Sequence, residues 1–201
     1  KPGDTVDVLT PNGSFCAQVE GKAPRHYAAF AAGSGITPVL SIAATALERD
    51  PASRFQLYYG NTSSARTMFL EDVLALKDRF LTRLSVAFVM SREPQDVEWL
   101  NGRIDAAKLG KIARHDLAVP GIDEFFVCGP GTMGEEVHGA LEALGETGRI
   151  HVEHFAPVAT RMAAPAAVTT AAVTPAPAAG TASAEITVVM DGRRRRFMMP
   201  F

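Results

Sequence analysis

Tyr27-Ala28-Ala29-Phe30-Ala31-Ala32-Gly33-Ser34-Gly35-Ile36-Thr37-Pro38 decides the fold. It opens as an apolar run too short for a helix and stops at a glycine, as a strand buried on both faces does. Thr37 is expected to N-cap the helix that follows, with Pro38 at the first helical position, where its missing N–H costs nothing. That helix is predicted to run to about Arg49 and to stop at Asp50-Pro51. A glycine loop between a buried strand and a helix N-terminus offers backbone N–H groups and a positive dipole end to a pyrophosphate. Gly33 permits the tight turn, and Gly35 is expected to let the backbone approach a phosphate.

The pattern then repeats. Phe55-Gln56-Leu57-Tyr58-Tyr59 reads as a second strand closed by Gly60-Asn61, and Ser63 or Ser64 is expected to cap a helix with Phe69, Val73, Leu76 and Phe80 on one face. Leu84 to Met90 is a third strand ending at Ser91-Arg92-Glu93, and Asp105 to Ala113 a short helix. Glu124 to Val127 is a fourth strand ending at Cys128-Gly129-Pro130. Behind it Thr132 and Glu135 suggest a capping box, with Met133, Val137, Leu141 and Leu144 on one stripe. Ile150-His151-Val152-Glu153 is the fifth strand. Strands alternating with helices predict an α/β fold around a five-stranded, parallel, doubly wound sheet.

The flanks read differently. Thr5 to Leu9 alternates like a strand and Pro11 to Phe15 like a turn, so residues 1–22 are expected to be the end of a β-barrel domain. The core domain is assigned to 23–156. Residues 157–184, nearly all Ala, Thr, Pro and Val, have a linker's composition. Ile186, Val188 and Met190 alternate before Asp191-Gly192, so 185–201 reads as the first hairpin of another domain. The chain starts Lys1-Pro2 without Met and stops at Pro200-Phe201 straight after that run, and is expected to be a piece of a longer protein.

Composition removes several classes. The formal net charge of the 201 residues is -2, which leaves no electrostatic footprint for nucleic acid. The run Arg193 to Arg196 fits a solvated face or docking patch better than a DNA contact. No apolar run approaches the ~20 residues of a membrane span. The only cysteines, Cys16 and Cys128, are too few for a disulfide framework or an iron–sulfur site, which suggests a reducing, cytoplasmic setting. His151 and His154 are an odd number apart on a strand, point to opposite faces and make no metal pair.

Each candidate site residue also has a plain structural reading. Gly33 to Pro38 could be only a tight turn. Pro38 stands where the usual dinucleotide fingerprint has its third glycine, and Gly60-Asn61 stands where an acid would hold a ribose, which argues against an ordinary NAD dehydrogenase. Ser91 and Arg92 follow a strand C-terminus and suit an adenosine 2′-phosphate; alternatively Arg92 pairs with Glu93 or Asp96. Arg66 is a second cation, read as solvated. Cys128 could border a nicotinamide ring or be a buried structural cysteine. Glu153 and Phe155 could orient a hydride donor and cover a flat ring, or be a surface acid and a core aromatic.

In order, Pro11-Asn12-Gly13-Ser14-Phe15, Gly33 to Pro38, Tyr59-Gly60-Asn61, Ser91-Arg92-Glu93, Cys128-Gly129-Pro130 and Glu153-His154-Phe155 resemble the ferredoxin–NADP reductase superfamily over about residues 1–155. Residues 31–40, Asn101-Gly102-Arg103-Ile104-Asp105 with Lys108-Leu109, and Ile186-Thr187-Val188 with Asp191-Gly192-Arg193 are similar to the subgroup of reductase subunits that serve phenylacetyl-CoA epoxidases. The resemblance implies a flavin domain, a nucleotide domain and a 2Fe-2S ferredoxin domain in that order, passing electrons from NADPH through FAD and the cluster to a multicomponent oxygenase. It implies that Gly33, Ser34, Gly35, Ile36, Thr37 and Pro38 hold the NADP pyrophosphate, with Gly60 and Asn61 also at the cofactor. Ser91 and Arg92 would read the 2′-phosphate, and Cys128, with Gly129, Pro130 and Met133, would lie at the nicotinamide. Glu153 would stand near the hydride transfer, Phe155 near the isoalloxazine, and Gly13 and Phe15 at the end of the flavin domain. The family's Arg-x-Tyr-Ser flavin motif and its four cluster cysteines have no match here, so this stretch alone is expected to retain neither FAD nor 2Fe-2S. The reductase of another oxygenase, a flavohaemoprotein, and a non-catalytic nucleotide-binding or docking module are the alternatives.

Overall fold

The run His26–Ala32, β1, lies at the centre of a five-stranded sheet and has five of its seven residues buried. The computed structural model describes residues 13–17, 24–117, 121–146 and 149–154, together with the backbone of Ser183–Met190 and Arg193–Pro200. β1 is followed by α1 (Ile36–Arg49), β2 (Arg54–Asn61), α2 (Leu70–Arg79), β3 (Leu84–Met90), α3 (Ala106–His115), β4 (Glu124–Gly129), α4 (Met133–Ala143) and β5 (Ile150–His154). The strand order is β3-β2-β1-β4-β5 and every pairing is parallel.

A parallel sheet must be covered on both faces, and the alternation along β1 shows how. Tyr27, Ala29 and Ala31 join one core layer with Ile36, Val39, Ile42 and Leu47 of α1 and Val73 of α2. Ala28 and Phe30 join the other, with Leu109 and Ile112 of α3 and Met133, Val137 and Leu141 of α4. At the N-terminal ends of the strands, buried Glu124 accepts from Arg25 at 2.5 Å and lies 3.2 Å from the His151 ring, which stacks on Phe126. This polar knot ties β4 and β5 to the segment entering β1.

Several local expectations are corrected. α1 starts at Ile36, its cap is Gly35, and the Thr37 hydroxyl donates back to the Ser34 carbonyl at 3.0 Å. Pro38 still falls in the first turn, where no intrahelical bond is lost. Ser63 and Ser64 do not cap α2, because Ser64 donates both its backbone N–H and its hydroxyl to Glu93 at 2.9 Å. A single 3-10 turn intervenes, and the cap of α2 is Phe69, left-handed at φ 53 and exposed rather than on the packed face. The Thr132 capping box is absent: its backbone is helical, not extended, and its hydroxyl bonds Glu136 at 2.5 Å. Leu144 lies past the end of α4 and is exposed. The helix expected over Asp105 to Ala113 is capped by Asp105, which accepts from Lys108 N at 2.7 Å, and it runs on to His115.

The chain divides into units Lys1–Pro157 and Val158–Phe201. In the second, β6 (Ser183–Met190) and β7 (Arg193–Pro200) pair antiparallel, Ile186 against Phe197. The expected strand at Thr5 to Leu9, residues 157–182 of the linker expected over 157–184, the Asp191-Gly192 turn and Phe155 lie outside the described residues, while Ser183 and Ala184, expected in the linker, belong to β6. No helix among the described residues is long and apolar enough to cross a membrane.

Candidate functional site

Parallel register brings the loops together. Ala32 pairs with Gly60, Asn61 with Met90, Ala31 with Cys128 and Cys128 with Glu153, so the strands end level with one another. The loops at 33–38, 60–62, 91–92 and 129–132 therefore leave one edge of the sheet. The chain order reverses between β1 and β4, and the crevice at such a switch point is where open α/β sheets bind ligands.

Two glycines shape the crevice for different reasons. Gly33 has φ +54 with open space around the position of a missing Cβ, so it is needed for backbone conformation. A Cβ on Gly35 would sit 2.0 Å from the Cys128 carbonyl oxygen. The expectation that Gly35 makes room for a phosphate is thus corrected: the close approach it permits is α1 against β4, the protein's own backbone. Gly33–Gly35 form a 3-10 turn leading into α1, with Ile36 N–H donating to the Gly33 and Ser34 carbonyls. The first N–H groups of such a turn have no intrahelical acceptor and face outward. On the other side of the crevice the Met133 thioether lies over Gly129, close to Ala32, while Ile104 covers Gly60.

The loop after β3 is fastened to the loop after β2. Ser91 N donates to Asn61 O at 2.9 Å and Arg92 N to Thr62 O at 3.0 Å. Glu93 is occupied by Ser64, so neither it nor Asp96 pairs with Arg92, whose exposed side chain makes no ion pair among the described residues. The rest of this loop is braced from within. The Asn101 side chain accepts from Gln95 N and donates to the Gln95 and Val97 carbonyls, and the buried Lys108 ammonium donates to Asn101 O. Burial also lowers the Lys108 pKa.

Cys128 is fully buried in the α1 layer, and burial, with the Glu153 charge beside it, pushes its thiol up to about 11. Its backbone, not its sulfur, meets the glycine loop. Glu153 is half-buried at the end of β5. Phe15 stands edge-on to Phe126 at 5.6 Å, packed on the core beside exposed Gly13. Arg66 is exposed, as expected. His151 and His154 do point apart, one to Glu124 and the other to Gly134 of α4. Tyr59, Asn101, Ile104 and Lys108 have roles that sequence reasoning misses. Tyr59 and Ile104 work through partners distant in sequence, and Asn101 and Lys108 through a loop shape that no residue pattern announces.

The sequence pattern of the oxidoreductase NAD-binding domain family matches residues 30–139. The chain belongs to this family. Among curated proteins it is 40% identical over 163 residues to a subunit of the 1,2-phenylacetyl-CoA epoxidase of Escherichia coli (strain K12), covering 81% of this chain and 46% of that protein. It is 34% identical over 157 residues to the ferredoxin reductase component of 3-ketosteroid-9-alpha-monooxygenase of Rhodococcus rhodochrous, covering 76% of this chain and 40% of the other. The chain thus spans less than half the length of these two relatives. The crystal structure of an Amycolatopsis cytochrome P450 reductase shares the fold, with a TM-score of 0.61 and 24% identity over 74% of this chain and 43% of that one. The NAD-binding domain is thus of the ferredoxin–NADP reductase type, as the sequence motifs imply.

Proposed function

We propose that this chain is the nucleotide-binding part of an NADPH-dependent reductase in the cytoplasm that feeds an oxygenase, with phenylacetyl-CoA epoxidase as the oxygenase served. One observation carries the reading: the N–H groups at 33–35 after β1, the Asn61 amide at the end of β2 and Arg92 after β3 all lie at the same edge of the sheet, on one side of its switch point. Asn61 Nδ2 is buried at that edge, near the Tyr59 hydroxyl but making no well-formed hydrogen bond. These residues fit NADP. Gly33, Ser34 and Gly35 would hold the pyrophosphate with Ile36, Thr37 and Pro38 behind them, Gly60 would leave room, and Ser91 and Arg92 would bind the 2′-phosphate. Pro130 and Met133 would border the nicotinamide, with Glu153 and the Cys128 backbone beneath.

When bound, NADPH supplies a hydride. The chain's own part is to position the dinucleotide and keep water from the ring. Cys128 does not act as a thiolate here, because burial keeps it protonated. The Arg-x-Tyr-Ser flavin motif has no match in these 201 residues. Two cysteines do not make the four thiolates of a 2Fe-2S cluster. FAD and the cluster therefore belong to the proposed full-length reductase, and no step here runs through them. The partners proposed are NADPH, the flavin and ferredoxin domains of the same protein, and the oxygenase. Titration calorimetry of this chain with NADP+ and NAD+ tests the reading. Binding of both with NADP+ the tighter is expected, and no heat with either would favour a docking module.

A further inference from the structure

We infer that Tyr59 is a positioning residue for the phosphate-facing loop, acting through its hydroxyl. The inference rests on the dinucleotide-binding reading above and concerns a residue outside the crevice. Tyr59 is fully buried near the end of β2, its ring tilted against Phe88. Its hydroxyl lies 3.1 Å from the Gly33 carbonyl and 3.0 Å from the Met68 carbonyl. A hydroxyl has one proton to donate, so the two carbonyls share it and the hydroxyl bridges two loops. One is the glycine turn; the other is the turn before α2, where Phe69 holds a left-handed backbone that bulky residues rarely adopt.

The consequence follows from peptide geometry. A trans peptide directs its C=O and N–H in opposite senses. The Gly33 carbonyl is held by the Tyr59 hydroxyl and by Ile36 N–H, so the Ser34 N–H of the same peptide is aimed away from them, out of the sheet end. Removing the hydroxyl leaves the Gly33 carbonyl held by Ile36 N–H alone, so the Gly33–Ser34 peptide gains freedom about the αL glycine and the donor meant for an anion is less firmly aimed. Arg92 lies on a different loop and is fastened by different bonds. Tyr59 should therefore govern recognition of the pyrophosphate and leave recognition of the 2′-phosphate alone.

The test is Tyr59→Phe, which keeps the ring, with calorimetry against NADP+, NAD+ and adenosine 2′-monophosphate, which lacks a pyrophosphate. NADP+ and NAD+ are expected to weaken by the same factor, about fivefold for one lost hydrogen bond, and the 2′-monophosphate to bind as before. Unchanged affinity for both dinucleotides would overturn the inference while the functional reading stands. An equal loss for all three ligands would overturn it too, since that marks a general loosening. Binding of neither dinucleotide by the unmodified chain would remove the functional reading itself. Should Tyr59→Phe not fold, the amide resonance of Ser34 in the native chain decides. It must shift with NADP+ and NAD+ and stay in place with the 2′-monophosphate; a Ser34 amide indifferent to all three refutes the assignment.

Discussion

Replacing Gly35 by alanine should damage the protein more than the same change at Gly33, although only Gly33 has an unusual backbone. A Cβ at position 35 would fall 2.0 Å from the Cys128 carbonyl oxygen, 2.5 Å from its carbon and 3.0 Å from Gly129 N. Real Cβ contacts essentially never come below 3.0 Å, so the start of α1 must retreat from β4 by at least 1.0 Å. The opposing atoms are main chain of a wholly buried strand and cannot step aside as a side-chain tip would. That places the cost near the top of the overpacking range, about 3 kcal/mol. For a chain of this size it lowers Tm by roughly 6–12 °C. The displaced helix carries the 33–35 turn with it, and a shift of this size should weaken NADP+ by at least about tenfold. Gly33→Ala meets open space and suffers only left-handed strain, about 1–2 kcal/mol. Urea unfolding and calorimetry on both variants decide the matter. A Gly35→Ala protein as stable as Gly33→Ala, with native affinity, would refute the packing argument.

Three other perturbations probe separate parts of the molecule. Arg92→Ala should weaken NADP+ about 10- to 100-fold, the loss of charge-assisted bonds to a phosphate, with NAD+ nearly unchanged in the same calorimetric titration. At pH 8 only about one Cys128 in a thousand is thiolate, given a pKa near 11, and none of the residue is exposed. Iodoacetamide followed by peptide mass spectrometry should therefore modify exposed Cys16 in the native chain and reach Cys128 only on unfolding, or as pH rises towards 11. Glu124→Ala should cost about 3 kcal/mol in denaturant unfolding, since it leaves Arg25 without its acceptor beneath the sheet. Affinity for NADP+ should hold, because the knot lies at the opposite edge.

The sheet is readable because a parallel strand covered on both faces is one apolar run. Leu84 to Met90 coincides with β3, and the other strands extend past their apolar runs by one to three residues in total. Helix starts are harder. A serine caps only if its hydroxyl is free, and Ser64 is claimed by Glu93, distant in sequence. Phe69 looks like a core residue by periodicity, but helical spacing means nothing for a residue in the left-handed cap. The glycine loops and the convergence of residues 33–38, 91–92 and 128–130 can be anticipated, since strand order and parallel direction alone bring those ends level. The Tyr59 hydroxyl cannot: a tyrosine in an apolar strand reads as core, and only the folded chain brings Gly33 and Met68 to it.

The two main-chain bonds from Ser91 and Arg92 to Asn61 and Thr62 prolong the sheet past its last paired residues. They make the 61–64 and 91–104 segments one mechanical piece, since Glu93 also grips Ser64 and Asn101 closes the far end. Anyone wishing to re-engineer coenzyme preference would therefore have to transplant both segments as a cassette. A graft of the Arg92 loop alone would arrive without the scaffold that tells it where to stand.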